Sequence, residues 1–246
     1  MGPGRALHYE LYRAMWGALD FVFPPACVDC GMLGSHWCIT CLSKVERPPS
    51  PLCEVCGSPI STGTVCPSCR RERPAFHILR AWAPYVGGAR AALQRLKYRN
   101  DMGLGAILAE QLAALLKDLA WPADVVVPVP LARRRLRYRG YNQADLIGWP
   151  LAVTLGLEYM PDSLRRARDT RSQVGLTMQE RRENVRGAFG ANGTQVRGRT
   201  VLLLDDVATT TSTLSSAAAA LLTAGAYRVY AVTAARALPE HGLQQA

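Results

Sequence analysis

In Val201-Leu202-Leu203-Leu204-Asp205-Asp206-Val207-Ala208-Thr209-Thr210-Thr211-Ser212-Thr213, an apolar run meets two adjacent acids and then a series of hydroxyl side chains. The run is apolar throughout and is expected to be a buried parallel strand that the acids bring to an end. Residues 214–224 are expected to form a helix, with Ser212 or Thr213 as N-cap and Gly225 placed to close it. A strand, a turn of small residues and a helix N-terminus make a cradle for phosphate, because unpaired backbone N–H groups and the helix dipole face the same anion. Asp205 and Asp206 at the strand end are then placed to hold sugar hydroxyls or a magnesium ion beside that phosphate. A strand-ending turn with a capping aspartate is the plainer use of such a pair, but it leaves the hydroxyl run unexplained.

Outward from this stretch, strands at 200–204 and 227–233 flank the 214–224 helix in a βαβ unit, which requires a parallel sheet and a right-handed crossover. Upstream, strands are expected at 77–85 and 124–129, helices at 88–98, 103–119 and 143–155, and a short strand at 187–190. This is an α/β, doubly wound, mainly parallel design. Its ligands belong at the carboxyl ends of strands, where Asp205, Asp206 and Val129-Pro130-Leu131 fall.

All eight cysteines lie between residues 27 and 69, in four Cys-x-x-Cys pairs: Cys27/Cys30, Cys38/Cys41, Cys53/Cys56 and Cys66/Cys69. Thiolates grouped this way read as Zn²⁺ ligands, since two such turns complete a tetrahedral shell. The first and third pairs both read Cys-x-x-Cys-Gly, which favours two consecutive ribbons joined by Pro48-Pro49-Ser50-Pro51; an interleaved pairing is the other arrangement. Four protein ligands per metal leave no open position, so the two zincs are expected to be structural. His36, between two pairs, is a lesser candidate as a substitute ligand, and none of the four histidines sits in a catalytic dyad. The expected organisation is a small cysteine-rich module at 1–74, preceding the α/β domain at 75–246.

Of the net charge of +10, +9 is carried by the second part. Arginines cluster there at Arg133, Arg134, Arg135, Arg137 and Arg139, again at Arg165, Arg166, Arg168 and Arg171, and at Arg181, Arg182 and Arg186. Such groups can gather a nucleic-acid backbone, with Tyr138 and Tyr141 offering faces to unpaired bases. A solvated helix face or a pyrophosphate site would use the same charge. Ahead of the ribbons, Leu7, Leu11, Met15, Trp16, Leu19 and Phe21-Val22-Phe23 suggest an amphipathic helix that packs on the ribbons rather than on a membrane, because it has few basic residues. No targeting leader is read at the start, and no stretch nears the ~18 uninterrupted apolar residues of a spanning helix. The expectation is a soluble cytoplasmic protein without stable membrane insertion.

The paired acids and hydroxyl loop resemble the phosphoribosyl pyrophosphate (PRPP) signature of type I phosphoribosyltransferases. With Cys27 to Cys69, Leu96-Lys97-Tyr98, Val127-Pro128-Val129-Pro130-Leu131, Arg139-Gly140-Tyr141-Asn142-Gln143 and the segment from Arg166 to Phe189, the chain resembles the ComF family over nearly its whole length. One departure stands out: Thr211 occupies the place of the signature's glycine. The resemblance implies that Asp205 and Asp206 hold the ribose, directly or through Mg²⁺, and that Thr209, Thr210, Thr211, Ser212 and Thr213 hold the 5-phosphate. It implies further that Val129, Pro130 and Leu131 take the pyrophosphate, with Arg133 and Lys97. Catalysis in such a site is positioning and charge stabilisation as pyrophosphate leaves. The function implied is DNA uptake and competence, by handling single-stranded DNA beside a competence helicase. The alternatives are an active phosphoribosyltransferase with a base or amine acceptor, and a nucleotide sensor without turnover.

Overall fold

The computed structural model describes residues 20, 24–167 and 187–238. The amphipathic stretch before residue 20 and Phe21-Val22-Phe23 lie outside the described residues, as do Arg168, Arg171, Arg181, Arg182 and Arg186. Strands β1 (Leu79–Pro84), β2 (Val125–Pro128), β3 (Glu158–Tyr159), β6 (Thr200–Ala208) and β7 (Arg228–Arg236) form one sheet in the order β1-β7-β6-β2-β3, with every pairing parallel. A separate antiparallel pair, β4 (Leu164–Arg166) and β5 (Phe189–Ala191), stands beside it. The longer helices of the α/β part are α1 (Gly87–Tyr98), α2 (Gly103–Leu119), α3 (Arg133–Arg139), α4 (Gln143–Leu155) and α5 (Ser212–Thr223).

Strand alternation divides the core in two. Leu202 and Leu204 meet Leu93 and Leu96 of α1, Leu104, Leu108 and Leu112 of α2, and Ile147 and Leu151 of α4. Val201 and Leu203 meet Leu214, Ala217 and Leu221 of α5 on the opposite face. Helices therefore cover both faces, as continuous apolar parallel strands require. The first ribbon joins the former cluster through Cys27, Trp37 and Cys41, and the second joins the latter through Cys53, Val55 and Cys69.

Three expectations change. The acids do not end β6: it continues through Asp205 and Asp206 to Ala208, because β7 runs on alongside and pairs Asp205 with Thr233 and Ala208 with Arg236. The helix after the loop begins at Ser212, and its N-cap is Thr211 rather than Ser212 or Thr213. The arginine cluster from Arg133 forms helix α3, which no apolar periodicity announced. Among the described residues, no helix is long and apolar enough to cross a membrane.

Candidate functional site

Asp205 and Asp206 are successive strand residues and point to opposite faces of the sheet. Asp206 shares the face of Leu202 and Leu204 and is buried. There Lys97 Nζ, from the last turn of α1, makes an ion pair with its Oδ2, and Gln143 Nε2, from the start of α4, donates to its Oδ1 at 3.5 Å. Asp205 is half-buried, and its Oδ1 accepts the backbone N–H of Asp206 at 2.9 Å. Burial and the adjacent Asp206 charge hold the Asp205 carboxyl well above the usual carboxylate range. Burial pushes Asp206 the same way, but the Lys97 ammonium, with Asp205 and Gln143, brings it below its ordinary value. Burial likewise opposes the charge on Lys97, and Asp206 more than restores it. Lys97 thus serves Asp206 directly.

Loop residues 209–211 follow, and α5 opens without a side-chain cap. The helix start nonetheless turns its dipole and its N-terminal backbone toward the loop, as an anion site requires. Thr211 lies in the left-handed region at φ 63°, in the position of the signature's glycine. Ser212 is buried, and the hydroxyls of Thr210 and Ser212 lie 3.0 Å apart. Val129 N–H donates to Leu204 O at 2.8 Å, which fixes the Val129-Pro130-Leu131 turn beside the strand that carries the acids. The expected phosphate loop, acids, Lys97 and the 129–131 turn therefore meet at one edge of the sheet.

The segment Arg139-Gly140-Tyr141-Asn142-Gln143, of which only Arg139 and Tyr141 are expected to act, and those on nucleic acid, ties the ligand site together. Gly140, at φ 79°, closes α3. Tyr141 donates its hydroxyl to Leu96 O at 2.5 Å, and Asn142 Nδ2 donates to Val129 O at 3.2 Å while its Oδ1 caps α4 at Ala144 N–H. Arg139 Nη1 donates to Gln143 Oε1 at 2.9 Å, and its guanidinium lies over the Tyr98 ring at 4.9 Å. An Asn before a helical run is an N-cap signal, which marks Asn142 in retrospect. The other arginines of α3, Arg133, Arg134, Arg135 and Arg137, are exposed. Tyr138 is 85% exposed and Tyr98 is 66% exposed, whereas Tyr141 is engaged with the protein's own backbone.

The cysteines gather as Cys27, Cys30, Cys38 and Cys41, and as Cys53, Cys56, Cys66 and Cys69, with the sulfurs of each group within 4.8 Å of one another. This is the consecutive pairing. Sulfur separations of 3.7 Å for Cys27–Cys38, 3.8 Å for Cys30–Cys38 and 3.7 Å for Cys56–Cys66 suit tetrahedral zinc, whose ~2.3 Å bonds give edges of about 3.8 Å. Two clusters of four thiols thus fit two structural zinc sites. Burial opposes ionisation of Cys27, but backbone N–H groups of Cys30, Cys38 and Asp29 bring its thiol down to about 6; Cys53 falls to about 7 in the same way. His36 is not a ligand. Its Nε2 lies 3.1 Å from Asp20 Oδ2, and its Nδ1 is paired with Asp101, which also holds Arg95 Nη2 at 2.6 Å. The Asp101 hydrogen bond, working against burial, raises the imidazole pKa above its ordinary value.

The double zinc ribbon domain matches residues 18–70. Competence protein F of Haemophilus influenzae is 30% identical over 179 residues, covering 69% of this chain and 77% of that protein. The DNA utilization protein YhgH of Escherichia coli O157:H7 is 32% identical over 218 residues, covering 84% of this chain and 94% of that protein. Competence protein ComFC of Bacillus subtilis is 29% identical over 177 residues, covering 69% and 71%. With a double zinc ribbon ahead of a doubly wound parallel sheet, and relatives matched along most of their length, the chain belongs to the ComF family.

Proposed function

We propose that this protein binds PRPP, or a closely related phosphoribosyl ligand, at the carboxyl edge of its parallel sheet and acts in the uptake or use of DNA. One observation carries the ligand reading: adjacent carboxylates on β6 lead within three residues into a hydroxyl-rich loop that enters the N-terminus of α5 through Thr211, whose side chain makes no cap hydrogen bond. The loop at Thr209, Thr210, Thr211, Ser212 and Thr213 holds the 5-phosphate, and the Asp205-Asp206 pair of β6 serves the ribose hydroxyls. Val129, Pro130 and Leu131 border the pyrophosphate. The carboxylate oxygens suit Mg²⁺, a hard cation that would neutralise charge on the bound ligand. Asp206 is already paired with Lys97, so Asp205 is the freer acid for such a role.

The DNA reading rests on the relatives' names and on α3. Arg133, Arg134, Arg135 and Arg137 face solvent beside the open ring of Tyr138, the combination that tracks a single strand by phosphate contacts and base stacking. A helicase engaged in DNA uptake is the partner this role calls for. Eight reduced thiols committed to zinc suit a cytoplasmic setting.

Calorimetric titration of Mg-PRPP into zinc-loaded protein tests the site. Binding is expected for the native chain and its loss for Asp205→Asn with Asp206→Asn, with two zincs retained; equal affinity in the double variant would reject the assignment. Pyrophosphate release with candidate acceptors separates an enzyme from a binder. Replacing Arg133, Arg135 and Arg137 with alanine is expected to weaken single-stranded DNA retention and to flatten its salt dependence by about 2 in log–log slope. An unchanged slope would place the DNA surface elsewhere.

A further inference from the structure

Among the described residues, the second zinc cluster has a buried guanidinium against one of its cysteines, while the first ribbon's arginine contact, Arg95 Nη1 to Ala26 O, belongs to a side chain already paired with Asp101. Arg236, the last residue of β7, is only 5% exposed. Its Nη1 donates to Cys56 O at 2.7 Å, and its Nη2 lies 2.7 Å from Ser58 Oγ and 3.6 Å from Cys56 Sγ. Among the described residues, no carboxylate lies within ion-pair distance of this guanidinium. A buried cation without an anion is strongly unfavourable, so the charge has to be met by something else at hand. A zinc held by four thiolates carries a net charge of −2, and Cys56 is one of those thiolates. Arg80, on β1, adds a second guanidinium at the same ribbon, with Nη1 3.3 Å from both Cys53 O and Glu54 O. In both clusters backbone N–H groups reach the first sulfur, among them Cys38 onto Cys27 and Cys66 onto Cys53; the buried guanidinium belongs to the second.

The position of Arg236 in the sheet gives the contact a further consequence. It pairs in register with Ala208, the last residue of β6 before the ligand loop, and Ala237 N–H donates to Ala208 O at 2.9 Å. From the other side of the ribbon, Ala75 N–H donates to Ser215 Oγ in the first turn of α5 at 3.1 Å. The ribbon is thus tied to both ends of loop 209–211.

We propose that Arg236 is the internal counter-cation of the Cys53/Cys56/Cys66/Cys69 zinc site, and that through it the state of this site sets the order of the adjoining ligand loop. Zinc release to a chelating dye, followed on the full-length protein, tests the first part. Arg236→Met is expected to release one of its two zincs at least about 10-fold faster while the other is unchanged. With Co²⁺ in place of zinc, the sulfur-to-metal charge-transfer band of one site is expected to move to longer wavelength, because a thiolate that has lost its cationic donor gives up electron density more easily. Arg236→Lys restores the charge and is expected to recover part of both effects. Ser58→Ala loosens the guanidinium and also removes a hydroxyl 3.5 Å from Cys56 Sγ, so it is expected to accelerate release of the same zinc by a smaller factor; if Arg236→Met does not fold, Arg236→Lys, which keeps that hydroxyl, carries the test by releasing this zinc faster than the native chain. Native release rates and an unshifted band in these variants would overturn the counter-cation role. Amide hydrogen exchange at 209–213 is expected to speed up in Arg236→Lys and Ser58→Ala in the absence of ligand; unchanged exchange would overturn the link to the loop. None of these readouts involves a phosphoribosyl compound, so they fail or succeed independently of the ligand reading.

Discussion

Thr211 is where the loop's backbone and its side chain disagree. At φ 63° a β-branched residue crowds its own carbonyl, a penalty of roughly 1–2 kcal/mol for an ordinary L-residue. The surrounding bonds hold it there: Thr211 O accepts from Ser215 N–H at 2.8 Å as α5 begins. Thr211→Gly removes the strain and adds some chain entropy to the unfolded state, about 0.5–1 kcal/mol. The expected net effect is a gain in stability of up to about 1 kcal/mol, read as a higher denaturant midpoint, together with tighter Mg-PRPP binding as the amides gain room to approach the phosphate. A lower midpoint would mean that the threonine supplies a contact worth more than its strain. The loop's place was legible in the apolar run, the acids and the hydroxyls, because these are local signals. The sign of φ at Thr211 was not, since the residue's own preference argues against it. Nor was the continuation of β6 through Asp206: its charge is neutralised by Lys97, a residue far away in sequence that only the folded chain brings near.

Elements that bury a face were the easiest to read. Helices α2 and α4 fall at the expected residues because their apolar side chains recur at helical spacing and pack into the sheet. Helix α3 buries none of its residues, so no periodicity could reveal it; it is held by Gly140 at its end and by Arg139 on Tyr98 and Gln143. The packing of α2 on α4 also depends on a residue that periodicity alone does not value. A Cβ added at Gly105 would sit 2.6 Å from the backbone oxygen of Leu146, a contact that a side-chain rotation cannot relieve. Gly105→Ala must push the two helices apart and is expected to cost about 1–3 kcal/mol in urea unfolding. Because α4 carries Asn142 and Gln143 at its start, the same variant is expected to weaken Mg-PRPP binding. Native stability would show that the α2–α4 contact has slack and that close approach is not what selects glycine there.

Across the whole molecule, the ribbons are built into the sheet's two cores. Trp37 of the first ribbon packs edge-on against Trp82 of β1, with centroids 5.8 Å apart, and Arg47 Nη1 donates to Trp82 O. The second ribbon covers the edge strand: Leu79 N–H donates to Val55 O at 2.8 Å, so β1 does not present an open edge there. Cysteine spacing made the two zinc sites legible, but a boundary at residue 74, proposed from composition, says nothing of these contacts, because burial between distant segments leaves no local pattern. Energetics decide between a detachable module and an integral one. A structural zinc contributes roughly 10–16 kcal/mol of apparent binding energy, while an entire domain is stable by about 5–15 kcal/mol. If the ribbons were independent, Cys53→Ser would unfold one ribbon and leave the sheet intact. With Cys53, Val55 and Cys69 sharing a buried cluster with Leu79, Val127, Leu203 and Leu221, loss of that zinc is expected to lower the thermal midpoint of the whole chain in a single cooperative transition. Calorimetry of Cys53→Ser checks this: one transition at lower temperature supports an integral core, whereas a separate early transition beside an unshifted main one would make the ribbons a detachable module after all.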